Sequence, residues 1–379
     1  MEKKKVLIYI NNVDWYFCLH WLERAKAARN SGYEVWVFVP ITDPKVSEKI
    51  RSNNLHIIDI KLNRTGVNPF KELHTFIDLY RKIKGVSPDF IHNITVKPNI
   101  YGSLIGKILH VPVVSSVTGL GFVFLNQSFR GAILRFIVKG LYRVVCTPNK
   151  CRLLFENKDD QYLMVSEGLI TLNKTNYVPG AGINTDKFAY HDELTTLPVR
   201  ILYAGRILWD KGIQELVDAS DILKKRQLAF EIIVAGIIDI DNPSSISESN
   251  LNEWQRKNLI KWIGPQTNMP ELIASTHIVV LPSYREGLPS ILAEAASCGR
   301  PIVATDVPGC REIVRHEENG LLVPPKNSEA LANALERLIK DPEMRRKMGE
   351  RGRQIVINNF SDKIVIEKTL EIYRELLES

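Results

Sequence analysis

The chain is poor in cysteine and has no long hydrophobic run, and both absences narrow its class. Its 379 residues include five cysteines: Cys18, Cys146, Cys151, Cys298 and Cys310. None forms a C-x-x-C pair, and Cys146 and Cys151, five apart, have no histidines nearby at zinc spacing. An odd, scattered set predicts reduced thiols in a cytoplasm, serving as small buried hydrophobes rather than a disulfide framework. Nowhere do 18 apolar residues run uninterrupted, so no helix is expected to span a bilayer. The apolar Val6–Ile10 is short and ends at Asn11-Asn12, which suits a first β-strand rather than a signal peptide. Tandem short repeats and low-complexity tracts are absent. So is an Asp-x-Asp metal motif at a strand end, and no metal or other cofactor is expected. Nucleic-acid motifs and interleaved basic and aromatic residues are also missing, which argues against a nucleic-acid partner despite a net charge of +7.

That charge is unevenly distributed. Residues 1–196 carry 26 Lys and Arg against 17 Asp and Glu, whereas residues 197–379 carry 24 against 26. A basic half beside a near-neutral one predicts an anionic partner for the first half alone.

Strand-like runs alternate with helix-period segments along the whole chain. Val6–Ile10, Glu34–Val39, Leu55–Ile60, Phe90–Asn93, Val113–Val117 and Val144–Thr147 read as strands, with helices at Leu19–Asn30 and Phe70–Lys84. The rhythm restarts at Val199–Tyr203. Further strands follow at Phe230–Val234, Leu259–Ile263, Ile278–Leu281, Pro301–Ala304 and Leu321–Val323, among helices at Ile213–Lys224, Pro289–Ser297, Ser328–Ile339 and Pro342–Asn358. This is the βαβ pattern of parallel sheets covered on both faces. The expected division is a first α/β domain over 1–193 and a second over 194–361, with the final helix, 362–379, a candidate to join the first. Asp239–Asn252, rich in Ser, Asn and Asp, reads as a flexible loop.

In such sheets ligands bind beyond the carboxyl ends of strands. Glu286 follows the strand ending at Leu281, and Gly287-Leu288-Pro289-Ser290 opens the next helix. Amides at that helix start suit an anion. Glu294 lies four residues past Ser290, on the same face; alone it is either a carboxylate well placed for the helix dipole or a part of the binding site. A second junction has Gly205-Arg206 ending a strand and Asp210-Lys211-Gly212 opening a helix. A guanidinium fork, an ammonium and a glycine that admits close backbone approach are what a diphosphate requires.

With Trp262-Ile263-Gly264, Pro282 through Pro289, the Glu286-x7-Glu294 spacing, Pro301–Thr305 and Asn319–Val323, these elements resemble the family 4 retaining glycosyltransferases of the GT-B fold, in which two Rossmann-like domains face each other across a cleft. Asn68-Pro69-Phe70, Lys97-Pro98-Asn99 and Thr118–Phe122 resemble its capsule and O-antigen branch, bacterial enzymes that extend sugars on polyprenyl diphosphate, among them an N-acetylgalactosaminyltransferase of N-glycan assembly. The resemblance implies that Arg206 and Lys211 hold the diphosphate of a UDP-sugar, Glu294 the ribose and Glu286 the donor sugar. It further implies that amides of Gly287, Leu288 and Ser290, around Pro289, meet sugar or phosphate, and that Ile263-Gly264-Pro265 meets uracil. Two departures stand out. Asn11–Phe17 replaces the Gly-Gly loop of many relatives, leaving Asn12 or Tyr16 to substitute. Ser115–Gly119 lacks the histidine many relatives carry there, and His92, at another strand end, is either a structural histidine or a cleft residue. Lys97, Asn99, Thr118 and Gly119 are the remaining candidate acceptor contacts.

Phe129–Val145 carries Arg130, Arg135, Lys139 and Arg143 among apolar residues and no acid. Such a helix suits either an anionic membrane surface or ordinary packing with a solvated basic face. A peripheral protein at the cytoplasmic membrane, with a UDP-sugar donor and a lipid-diphosphate-linked acceptor, is the expectation. The competing readings are a non-hydrolysing UDP-N-acetylhexosamine 2-epimerase, whose first-half carboxylates are not evident, and a non-catalytic nucleotide-sugar-binding protein.

Overall fold

The computed structural model describes residues 4–62, 68–120, 129–147, 150–193, 195, 197–240 and 242–378. Two parallel sheets organise the chain. The first contains β1 (Val6–Ile10), β2 (Glu34–Val39), β3 (His56–Asp59), β4 (Phe90–Ile94), β5 (Val113–Val117), β6 (Cys151–Phe155) and β7 (Thr175–Tyr177), in the order β3-β2-β1-β4-β5-β6-β7. The second contains β8 (Val199–Ala204), β9 (Phe230–Ala235), β10 (Lys261–Trp262), β11 (Ile278–Leu281), β12 (Ile302–Thr305) and β13 (Gly320–Val323), in the order β10-β9-β8-β11-β12-β13. Central strands such as β1, β4, β5, β11 and β12 are buried along their whole length, as near-continuous apolar runs covered by helices must be. Each sheet reverses its strand order once, at β1/β4 and at β8/β11, and such switch points are where open α/β sheets take ligands.

The chain forms two units, residues 1–182 with 363–379, and residues 183–362. The division falls at 182/183 rather than at the 193 expected from sequence, because the connecting segment packs on the second core. Ile183 and Phe188 are buried in that core. Ser297 Oγ donates to the Phe188 carbonyl at 2.6 Å, and Glu193 pairs with the buried Arg345. The closing helix, Asp362–Glu378, belongs to the first unit. Val365, Ile372, Tyr373 and Leu376 complete its core beside Tyr9 and Phe90.

Two sequence-based elements are corrected. Val144–Thr147 is not a strand: Val144 and Val145 end the helix Phe129–Val145, and the Cys146 amide still donates to the Tyr142 carbonyl. Tyr142, Val145 and Cys146 are buried together, and the strand in this position is β6. Nor is Asp239–Asn252 loop throughout. Ser247 caps a helix, Glu248–Arg256, which buries Leu251 and Trp254.

Candidate functional site

The second sheet gathers its polar residues at the carboxyl ends of β8, β9 and β11. Beyond β8, a short 3-10 turn (Trp209–Lys211) leads through Gly212 into the helix Ile213–Lys225. Gly212 has a φ of 72°, and a Cβ there would sit 2.1 Å from the Pro282 carbonyl oxygen. Only glycine brings the turn this close to the loop after β11. Lys211 Nζ consequently reaches Glu286 Oε1 at 2.6 Å, with the two side chains only 18% and 11% exposed.

The Glu286 loop is held from both sides. The Tyr284 amide donates to the Asp210 carbonyl at 2.9 Å, and the Tyr284 hydroxyl to Glu215 Oε1 at 2.6 Å. From β12, Thr305 Oγ1 donates to the Ser283 carbonyl, and Gly309 packs so tightly that a Cβ would lie 2.3 Å from the Gly287 carbonyl. Pro289 then serves as N-cap of the helix Ser290–Ser297, which has no side-chain cap. Its first-turn amides therefore keep their affinity for an anion. Glu294 is partly buried in this helix. Burial pushes its carboxyl up to about 7, opposed by the charge of Lys187.

Arg206 is not grouped with the Lys211–Glu286 pair. It is 36% exposed and bound to Asp239 Oδ2 at 2.9 Å, while its carbonyl accepts from the Tyr203 hydroxyl at 2.9 Å. Asp239, Tyr284 and Glu215 are participants that the sequence reading missed. The signal for the first was present: Asp239-Ile240-Asp241 has Asp-x-Asp spacing, four residues beyond β9. Asp239 serves here as the partner of Arg206, and Asp241 lies outside the described residues. Gly205, Gly236 and Gly264 bring the ends of β8, β9 and β10 together with bare backbone. The Gly236 amide donates to the Gly264 carbonyl at 2.9 Å, and a Cβ on Gly236 would meet the Gly205 carbonyl at 1.8 Å. The Ile263 amide is spent on β9, through the Val234 carbonyl, and Gly264 takes a φ of 68° before Pro265.

In the first unit the candidates separate. His92 is fully buried, with Nδ1 bonded to the Tyr373 hydroxyl and Nε2 to Ser116 Oγ at 2.8 Å. Burial holds its ring well below the usual imidazole range, so it is a neutral core histidine and not a ligand contact. Asn99 is also buried and donates to the Ser116 carbonyl at 3.0 Å. Lys97 pairs with Glu72 at 2.8 Å, and Asn12 Oδ1 accepts from Thr95 Oγ1 at 2.9 Å. Tyr16 packs against His20, 4.6 Å between ring centroids, with Thr118 beside its hydroxyl. Gly119, with a φ of 126°, follows.

Among the described residues of the basic helix, Val138, Tyr142 and Val145 are buried, but the outer side mixes cations with apolar residues. Lys139 pairs with Glu167, and Arg143 donates to the Glu167 carbonyl at 3.2 Å. Phe136 is 76% exposed, and Ile137 and Val144 are exposed as well. Arg135 is partly buried, and the Arg130 side chain lies outside the described residues. No described helix is long and apolar enough to cross a membrane.

This architecture is that of the GT-B fold. Residues 192–355 match the family "Glycosyl transferases group 1", and residues 5–147 match "Glycosyl transferase 4-like". The chain belongs to the family 4-like glycosyltransferases of the GT-B fold. It is 29% identical, over 93% of its length and 94% of the relative's, to the N,N'-diacetylbacillosaminyl-diphospho-undecaprenol alpha-1,3-N-acetylgalactosaminyltransferase of Campylobacter jejuni. Among solved structures, sucrose-phosphate synthase from Thermosynechococcus elongatus superposes with a TM-score of 0.79 at 20% identity, covering 99% of this chain and 100% of the other. Anabaena HepE in complex with UDP superposes with a TM-score of 0.77 at 17% identity, covering 98% and 100%.

Proposed function

We propose that this glycosyltransferase moves an N-acetylhexosamine, N-acetylgalactosamine being favoured, from a UDP-sugar to a saccharide carried on polyprenyl diphosphate, with retention of configuration and without a metal. The observation carrying this reading is the end-to-end similarity to a transferase named for that donor sugar and an undecaprenol-linked acceptor. The UDP complex of a protein with the same fold supports the nucleotide. In this reading the acceptor hydroxyl attacks the anomeric carbon, and the bond from that carbon to the UDP oxygen breaks. The electron pair leaves with the diphosphate, and the acceptor proton passes to that oxygen on the same face. Lys211, Arg206 and the uncapped amides after Pro289 stabilise the growing negative charge. Glu286 accepts from donor-sugar hydroxyls and Glu294 from the ribose. Lys211 is already fixed by Glu286 at 2.6 Å, so it needs little reorganisation when the diphosphate arrives.

The acceptor is lipid-borne in this reading, so the enzyme works at a membrane surface. The exposed Phe136 and Ile137 beside Arg143 support contact there. The test is UDP release from a panel of UDP-sugars, with and without a short polyprenyl-diphosphate N-acetylhexosamine. Acceptor-dependent release greatest with UDP-N-acetylgalactosamine is expected. Interconversion of UDP-N-acetylhexosamines without acceptor would favour the 2-epimerase instead.

A further inference from the structure

The segment after β9, whose composition reads as a flexible loop, grips the turn that carries Lys211. Its contacts run along residues 206–210. The Ile207 amide donates to the Ile237 carbonyl at 3.0 Å, and the Ile207 carbonyl accepts from the Ile246 amide at 3.1 Å. Leu208 and Ser245 form an antiparallel bridge. The Trp209 amide donates to the Ser244 carbonyl at 2.8 Å. The Ser244 hydroxyl then holds Asp210 twice: it accepts from the Asp210 amide at 3.2 Å and donates to Asp210 Oδ1 at 3.1 Å. Asp239, earlier in the same segment, holds the Arg206 guanidinium at 2.9 Å.

The segment is itself braced. Asn242 Oδ1 accepts from the Ser244 amide and the Asn242 carbonyl from the Ser245 amide, each at 2.9 Å, a turn that suits Asn before Pro243. The Asn242 amide donates to the Asp239 carbonyl at 2.9 Å, which ties the Asp239 and Ser244 contacts together. Ser247 caps the next helix, Glu248–Arg256. Asp210 is therefore fixed from two directions. Its amide and carboxylate meet Ser244, while its carbonyl meets the Tyr284 amide of the Glu286 loop at 2.9 Å. The next residue is Lys211. A lysine side chain is long and flexible, so the position of its ammonium depends on the backbone it leaves. A displaced cation stabilises developing charge less.

We propose that Ser244 and Asp239 are positioning residues of the phosphate clamp: Ser244 sets Lys211 through Asp210, and Asp239 sets Arg206. This rests on the transferase reading given above, in which both cations face the diphosphate of the UDP-sugar. If the segment instead only closes the surface beside β8, its loss costs stability without acting through either cation.

The experiment uses the full chain, UDP-N-acetylgalactosamine and a short polyprenyl-diphosphate N-acetylhexosamine, and it pairs each residue with its cation in a double-mutant cycle. Ser244→Ala should lower kcat about ten-fold, the worth of one hydrogen bond to a charged group. Ser244→Thr, which keeps the hydroxyl, should restore most of that loss. In the Lys211→Ala background, Ser244→Ala should change kcat by less than about two-fold, because its effect passes through a cation no longer present. Asp239→Ala should likewise lower kcat in the wild type and add nothing to Arg206→Ala. The same non-additive pattern is expected in UDP affinity by calorimetry. Losses that multiply in full in both cycles, or wild-type kcat in both single variants, would overturn this proposal alone and leave the segment a surface brace. Should Ser244→Ala not fold, the Asp239–Arg206 cycle decides. A wild type that binds UDP but transfers to no lipid-linked acceptor would overturn the transferase reading, and the calorimetric cycles would still judge the clamp.

Discussion

Lys211 and Glu286 test the chemistry most directly. Lys211→Ala and Arg206→Ala should each lower kcat by one to three orders of magnitude, since removing a donor to developing charge costs roughly 3–4 kcal/mol. Near-normal kcat in both at saturating donor would remove them from the mechanism. Glu286→Gln should lower kcat while UDP still binds, whereas Glu294→Ala should weaken UDP itself. Glu294 adds a pH dependence of definite sign. Its carboxyl is raised to about 7, and in the proposed reading ribose hydroxyls donate to the ionised form. UDP affinity should therefore increase from pH 6 to 8 with release of a proton, and Glu294→Gln should flatten the profile in calorimetry. Much of this site was legible residue by residue. Gly205-Arg206, Lys211-Gly212 and Glu286–Pro289 are local patterns at strand ends, and local patterns survive without knowledge of the fold. His92 was not legible, because its deciding partner, Tyr373, lies 281 residues away. Asp239 was passed over because its motif begins four residues beyond the strand and its partner, Arg206, lies 33 residues away.

At the scale of elements, one close backbone approach fixes the Lys211–Glu286 pair. Gly212→Ala must move the turn away from Pro282, since no flexible side-chain end can yield there. The expected result is a lowered kcat together with a lower unfolding midpoint, and wild-type values for both would refute the steric argument. Tyr284→Phe should have a milder effect, a few-fold loss in kcat with UDP affinity retained, because the Tyr284 amide still holds the loop through Asp210. The sheets themselves were readable because their strands are short, continuous, β-branched runs. The same signal misled at Val144–Thr147, where two valines end a helix; apolar runs of that length fit either structure. Across 239–252 the composition reads as loop, and the Leu251–Trp254 spacing that buries a helix face was too short to register.

At the scale of the molecule, the basic first half and its exposed apolar residues predict two separable contributions to vesicle binding. Arg143→Gln should weaken binding to anionic vesicles, where each basic residue contributes about 1 kcal/mol, and the loss should shrink as salt rises. Phe136→Ser with Ile137→Ser should weaken it by an amount that salt does not change. Equal co-sedimentation of all variants and wild type at low salt would mean the helix is an ordinary surface.

The closing helix also has a consequence in time. Tyr373 and its neighbours complete a core begun by Tyr9, but a ribosome produces them only after residues 183–362. At about 5–20 residues per second that interval is roughly ten to forty seconds. Throughout it His92 lacks one of its two hydrogen-bond partners, and by its end the second unit has every strand of its sheet. The later-made unit is thus the first able to finish folding. Chains truncated after residue 362 should yield a protease-resistant fragment from the second unit alone. A resistant fragment from residues 1–182 in the same chains would show that the first core closes without its last helix.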